Sequence, residues 1–580
     1  MISAGVAPQL VRLLTAGSPT QQELAAACFG NLCHESPANQ DKLAKCDPFK
    51  PLANLLSAET GPAQEAAYAV WNLAVGHLEN SERFVRQGVV PKLTELLKNS
   101  SDVAQENAAG ALMHVTMSQE AREEVVRCNA IPRLTELLKD EFEPEVCSQA
   151  AGALLNLAAD CPQYADKIVN AGAVPHLVEL IKSGQALAKE YAAGALMNVM
   201  RDQLEVSAEA AKAGAIPALA TMASKPSGVA EALGALANLA SGSPERQVAI
   251  YKAQVTRRTV SLLTDPDDDI RRSAAALLMN MSPQAKIKER IVEAGALKPL
   301  AKILSDPDLA VKERAAGALA NLFNDHPANV LTGFKEAPEL IPNLVTLCAD
   351  ESLSRDARRQ AAHALAMLAA EDGPADAVWA AGAAQPLVAL LKDMVEEAAL
   401  AIMNLSWRWP DVKAGLAKSG VIGYLMTLLE RGGDPLAKEY AAGGLMNMTA
   451  GSLEHAELAV GVVRPLVDLL QPKEGYVQAA EWAAGALANI VRVGPVPQQE
   501  AVDAGVIRRL ADLLPQVTPS GKSLVVLAFT SMAEHHKDAV REALSGSKEL
   551  ATLKEFRRST NEELADYTHS LAEMLGMDVA

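Results

Sequence analysis

The chain has 580 residues, of which 49% are hydrophobic and only 4% aromatic, and its formal net charge is −18. An acidic balance spread along the length gives no basic footprint for nucleic acid and favours basic protein partners. No apolar run approaches the ~20 residues that span a bilayer, nothing at the N-terminus resembles a secretory signal, and Ile2 excludes the myristoylation pattern. The seven cysteines (Cys28, Cys33, Cys46, Cys128, Cys147, Cys161, Cys348) are odd in number and lie mostly in apolar helical text. They read as free, reduced thiols of a cytosolic or nuclear protein.

The text then repeats. Leu187–Val199, LAKEYAAGALMNV, returns almost letter for letter at Leu436–Met448, LAKEYAAGGLMNM. Weaker copies of small-small-Gly-Ala-Leu-x-Asn-apolar align on Asn31, Asn72, His114, Asn156, Asn198, Asn238, Asn280, Asn321, Met367, Asn404, Asn447, Asn489 and Ser531. Successive spacings are 41, 42, 42, 42, 40, 42, 41, 46, 37, 43, 42 and 42 residues. A period in this range means stacked helical units, in which each unit packs only on its neighbours.

Taken in order, residues 1–5 supply the tail of an incomplete first unit. A typical unit follows in 162–199: a short helix (PQYADKIVN), a bend at Gly172, a medium helix opened by Pro175 with Leu177, Leu180 and Ile181 on one face, a stop at Ser183-Gly184, then the long third helix. The bend glycine recurs at Gly5, Gly88, Gly214, Gly295, Gly382, Gly420, Gly461 and Gly505, with Asn129 standing in once. The spacings of 46 and 37 place an insertion near 325–342, a short unit ending at Asn404, and a soft spot across 325–410. After Ser531, Lys537–Ser545 and Lys548–Phe556 read as helices. A capping-box pattern at Ser559–Glu563 introduces LADYTHSLAEML, an amphipathic helix expected to cover the end of the stack. The expected organisation is one solenoid over 1–534 and a helical cap over 535–580.

On a helix, positions four and seven before the asparagine lie within about 40° of it. Position −4 is small: Gly110, Gly152, Gly194, Gly234, Gly317, Gly443, Gly485, Ala27 and Ala276. Position −7 is mixed: Tyr191, Tyr440, Trp482, Arg314, Glu65, Glu231, Glu397, Asn107, Gln149 and Gln360. A core-facing line would be uniformly apolar, so this one reads as the floor of a groove. An alternative is that each asparagine only ties neighbouring turns together. Glutamates at −8, namely Glu23, Glu106, Glu190, Glu313, Glu396, Glu439 and Glu481, lie about 80° off the line. They are either a rail for basic side chains or helix-start residues.

The unit Ala-Gly-Ala-(Ile/Val)-Pro-x-Leu-(Val)-x-Leu-Leu followed by Gly-Ala-Leu-x-Asn-(Leu) resembles the armadillo repeat, over roughly residues 2–534. The resemblance implies an all-α, right-handed α-α superhelix of about thirteen repeats whose third helices line a concave face. There the asparagines (Asn31, Asn72, Asn156, Asn198, Asn238, Asn280, Asn321, Asn404, Asn447 and Asn489) would hold the backbone of a partner's extended segment, since an amide carries donor and acceptor on one short arm. Import receptors of the importin-α type pair each groove asparagine with a tryptophan at −4 and carry a basic autoinhibitory segment. Plant armadillo ubiquitin ligases carry a U-box ahead of the repeats. Neither pattern is present, which leaves resemblance to β-catenin-like, vacuolar or ciliary adaptors, with a structural role on a cytoskeletal or axonemal assembly as the runner-up.

Three further features stand apart. Trp407-Arg408-Trp409 is either a hot spot for a partner or packing in the shortened unit. Arg257, Arg258, Arg271, Arg272, Lys286, Lys288 and Arg290 form a basic region that suits an acidic or phosphorylated segment, against which Asp265–Asp269 stand as neutralising neighbours. That acidic run and Asp306-Pro307-Asp308 read as helix caps in preference to calcium ligands. No catalytic or cofactor motif is legible: the histidines have no spaced Cys or His partner for zinc, and Gly521-Lys522-Ser523 has Gln516 where a phosphate loop needs glycine.

Overall fold

The computed structural model describes residues 5–99, 101–159, 161–471 and 476–578, so the expected tail at 1–4 lies outside the described residues. Among the described residues the regular structure is helical, with no strand. The chain forms two compact units, Met1–Ala294 and Gly295–Ala580.

The unit read around Asn198 has helices Pro162–Asn170, Ala173–Ser183 and Ala186–Val199. Gly172 sits between the first two at φ 79°, a left-handed conformation in which a Cβ is strained. Asn129 takes the same conformation at φ 54°. Gly461 does not: it lies inside a 3₁₀ turn, Val460–Val462, that leads directly into the next helix. At two further bends Asp47 (φ 54°) and Gln254 (φ 60°) supply the positive φ in place of glycine, and the bend Ala337-Pro338-Glu339 has neither glycine nor positive φ.

In the first unit the third helices Pro19–Cys33, Thr60–Ala74, Asp102–Val115, Pro144–Ala158, Ala186–Val199, Val229–Ala240 and Asp268–Met281 pack in succession. In the second unit Leu309–Phe323, Arg355–Ala370, Glu396–Ser406, Pro435–Thr449, Val477–Ile490 and Gly521–Leu544 do the same. Alanine makes this close approach possible. Ala192, Ala193 and Ala195 are fully buried beside Leu196 and Val199; an alanine loses no rotamer entropy on burial, and each buried leucine or valine contributes about 1.5–3 kcal/mol. The acidic runs cap helices as read: Asp267 Oδ1 accepts from the N–H groups of Asp269 (2.9 Å) and Ile270 (3.3 Å), and Asp308 from those of Ala310 (2.7 Å) and Val311 (3.1 Å).

The extra residues of the long spacing fall partly in the insertion expected near 325–342, where the first helix Pro327–Glu336 has ten residues, and partly in the loop that ends at the cap Ser354. The deficit follows in the next third helix, which starts at Glu396 and lacks its first turn. Arg355 of the preceding helix supports the shortened entry, donating to the carbonyls of Asp393 (3.2 Å) and Met394 (3.0 Å). Packing across Leu309–Phe323, Arg355–Ala370 and Glu396–Ser406 is continuous.

At the C-terminus, helix Gly521–Leu544 runs through the expected break with one kink at His536. The final helix Glu562–Leu575 packs on it and buries Leu564, Leu571 and Leu575. Its cap is Asn561, which accepts from the Leu564 N–H (3.1 Å), while Ser559 accepts from the Asn561 N–H (3.1 Å). The expected capping box is therefore replaced by an asparagine cap preceded by a serine turn.

Candidate functional site

The asparagines form a hydrogen-bond ladder with a fixed register. In each case Nδ2 donates to the carbonyl of the residue just before the aligned position of the preceding repeat. Asn156 reaches Met113 (2.7 Å), Asn198 Leu155 (3.4 Å), Asn238 Met197 (2.7 Å) and Asn280 Ala237 (2.8 Å). In the second unit Asn404 reaches Ala366 (2.8 Å), Asn447 Met403 (2.9 Å) and Asn489 Met446 (3.1 Å). The tying role is thus real. It uses the donor and leaves the acceptor: no described group bonds Oδ1 of Asn156, Asn238, Asn280, Asn404, Asn447 or Asn489, and five of these residues (156, 238, 280, 404 and 489) are only half-buried. The first rungs differ. Asn31 is exposed and accepts from the Tyr68 hydroxyl (3.4 Å), and Asn72 pairs with His34 (3.1 Å) and donates to Tyr68 O of its own helix. Asn321 and Arg314 are half-buried at their register positions on Leu309–Phe323.

The glycine at −4 is a socket. A Cβ on Gly152, Gly234, Gly443 or Gly485 would lie 2.5, 2.3, 2.4 or 2.5 Å from Sδ of Met113, Met197, Met403 or Met446, each the residue before the preceding ladder position. On Gly194 it would meet Leu155 (2.9 Å), and on Gly110 the Trp71 ring (2.6 Å). The −7 side chains close over the same sockets from the following repeat: Tyr191 over Gly152, Trp482 over Gly443, Glu231 beside Gly194. Tyr191 and Tyr440 are half-buried, and burial together with Glu439 and Glu397 pushes the Tyr440 phenol up to about 12. Position −1 was therefore the floor residue that the sequence pattern did not single out. Met113, Met197, Met279, Met403 and Met446 share it, and their period of about one repeat was the available signal.

The glutamates do not stand as an open rail. Glu439 and Glu481 are buried, at 8% and 2% exposure. Glu481 accepts from Thr518 N (2.5 Å) and Thr518 Oγ1 (2.9 Å), and Glu313 from Ser354 N (3.3 Å). The carboxylate of Glu23 lies against Gly61, at the start of the next third helix. These carboxylates thus bracket the entry of the following repeat, where backbone N–H groups lack helical partners. Glu106, Glu190 and Glu396 are half-buried, and burial beside Glu145 raises Glu106 above the usual carboxylate range.

Trp407, Arg408 and Trp409 separate into two roles. Trp407 is 69% exposed. Arg408 is tied down, donating to Ala370 O (2.6 Å), pairing with Asp372 and lying over the Trp409 ring at 5.9 Å. Part of the basic region is neutralised: Arg271 pairs with Asp268 and Arg272 with Asp269, as the acidic run suggests, and Arg290 pairs with Glu293, each at 2.5 Å.

The ladder carries a direct expectation. Asn280→Ala removes one partly buried inter-repeat hydrogen bond and should cost about 1 kcal/mol, read as a lower urea midpoint at unchanged helical circular dichroism. No change would mean that the amide is solvated in solution and ties nothing.

The armadillo/beta-catenin-like repeat model matches residues 1–34, 118–159, 161–201 and 284–323. No curated protein matches the chain. Among solved structures, an engineered protein is 26% identical, with 77% of this chain and 99% of that one covered at a TM-score of 0.51. A structure from a study of the phosphorylation-controlled interaction between cadherin and beta-catenin is 15% identical, with 90% of this chain and 98% of that one covered at a TM-score of 0.57. Among the described residues no single helix is long and apolar enough to cross a membrane. The three-helix unit, its asparagine register and these matches together show that the chain is built on armadillo/beta-catenin-like repeats.

Proposed function

We propose that the chain is a non-enzymatic scaffold that binds an extended or helical segment of a partner protein along the face of its third helices. The observation that carries this reading is the ladder's leftover acceptor: Nδ2 is fixed to the neighbouring repeat, and Oδ1 is left unbonded at one register position after another. Packed helices lie about 8–10 Å apart, two to three residues of extended chain at about 3.3 Å each, so successive repeats meet a peptide backbone at regular intervals. The methionines between the amides suit varied side chains, being unbranched and polarizable. The charge of −18 supports a basic partner. The free cysteines, with Cys33 and Cys348 buried and their thiols pushed up to about 12, support a reducing, cytosolic or nuclear compartment. A structural role on a cytoskeletal or axonemal assembly would use other faces, and the exposure of Leu78, Leu204 and Leu453 on first helices favours it as the second reading.

Met197→Glu and Met446→Glu together test the choice. They place charge on the floor without touching a ladder amide. Partners recovered by the wild-type chain should be lost with the double variant at unchanged helicity; their full retention would move the interface to the outer faces.

A further inference from the structure

A cavity of ≈ 560 Å³ opens on the first repeats of the N-terminal unit. Its described lining brings together Tyr68, Trp71 and Tyr191, the carboxylates of Glu35 and Asp41, and His114, and contains neither lysine nor arginine. Three rings in one cavity stand out in a chain with 4% aromatic residues.

Two of the rings are held in place. Tyr68 and Trp71 stand edge to face, with centroids 6.4 Å apart and planes at 86°. Tyr68 lies on Gly30 and Trp71 on Gly110, where a Cβ would come within 2.2 and 2.6 Å of the respective ring. Each ring therefore occupies a notch that only glycine leaves open, and together they make a right-angled corner. Ring faces carry negative charge density and attract a cation most strongly where water is excluded. Glu35 and Asp41 are exposed at the cavity, Asp41 with His77 as its neighbour at 3.1 Å. His114 is held neutral by burial, which pushes it down to about 4, so it offers a cation no repulsion at neutral pH.

We propose that this cavity is a site for an alkylammonium group, the side chain of a lysine in the partner's bound segment, and that it holds the N-methylated form more tightly. A tetrahedral ammonium fits a corner of perpendicular rings, whereas a planar guanidinium would stack on one ring alone. Methylation lowers the cost of leaving water and adds apolar contact without removing the charge. This site deepens the scaffold reading and rests on it, because it names the chemistry that the first repeats select.

The test titrates the full chain with three small probes followed by ligand-observed NMR: N-acetyl-lysine amide, its trimethylated counterpart, and the neutral isostere with carbon in place of the ammonium nitrogen. The trimethylated probe should bind about ten-fold more tightly than the neutral isostere. Trp71→Leu and Tyr68→Leu should each weaken it by a similar factor, and Tyr567→Leu on the final helix should not. If Trp71→Leu fails to fold, Tyr68→Leu and the double change Glu35→Gln with Asp41→Asn carry the test, the latter expected to weaken binding several-fold. Equal binding of the neutral isostere, or indifference to the ring and carboxylate variants, would overturn the proposal. So would tetramethylammonium binding more tightly than the trimethylated amide, which would mark a site for a free small cation. Absence of binding by every probe would also overturn it while leaving the scaffold reading to the Met197 and Met446 variants.

Discussion

Glu481→Ala should lower the stability of the C-terminal unit by about 3 kcal/mol, although the residue belongs to a row that the sequence offers as a rail for partners. Its carboxylate is 2% exposed and accepts both the backbone N–H and the hydroxyl of Thr518. Gly521 packs directly on it, since a Cβ there would lie 2.1 Å from the carboxyl carbon. Hydrogen bonds to a charged group contribute about 1.5–3 kcal/mol, and alanine also leaves a gap beneath Gly521 where the carboxylate packs. Glu481→Gln keeps the shape and one acceptor, so it should lose roughly half as much. Amide hydrogen exchange over Gly521–Leu544 checks this, with protection falling in the order wild type, Gln, Ala. Unchanged protection in the alanine variant would return Glu481 to the rail.

The second large effect comes from a substitution that normally helps a helix. Glycine to alanine in a helix interior gains about 0.5–1 kcal/mol from backbone entropy alone. At Gly110 the new Cβ would fall 2.6–2.9 Å from three atoms of the Trp71 ring. A rigid indole cannot bend away from it, and forcing extra volume into packed contacts costs about 1–3 kcal/mol. Overpacking wins, and Gly110→Ala should be destabilising by about 1–2 kcal/mol on balance. Gly234→Ala is the control, because its obstacle is Met197 Sδ at 2.3 Å and a thioether chain can take another rotamer. Urea unfolding should show a lower midpoint for Gly110→Ala and a nearly unchanged one for Gly234→Ala. A stabilised Gly110→Ala would mean that the indole does not occupy the socket.

These two cases show where sequence text was sufficient. The repeat period, the three-helix unit, the Asn129 bend and the aspartate caps were legible because each depends on residues close in the chain. The sockets were not, because their contents come from other repeats: a glycine at −4 looks like open groove until the methionine or tryptophan of the preceding helix lies in it. The partners of the glutamate row were hidden for the same reason. Its position on the helix surface was right, and its acceptor role at the next helix start, about forty residues away, has no local signature. Gly461 shows the converse: a glycine at the bend position does not impose left-handed backbone where a 3₁₀ turn can join the helices.

Site-specific photo-crosslinking separates partner binding on the third-helix face from binding on the outer faces. A benzophenone amino acid placed at Met197, Tyr191 or Met446 probes the floor, and one at Val248 or Leu458, both exposed on first helices, probes the outside. Partner adducts are expected from the three floor positions and none from the two outer ones. Adducts confined to Val248 and Leu458 would contradict binding on the third-helix face.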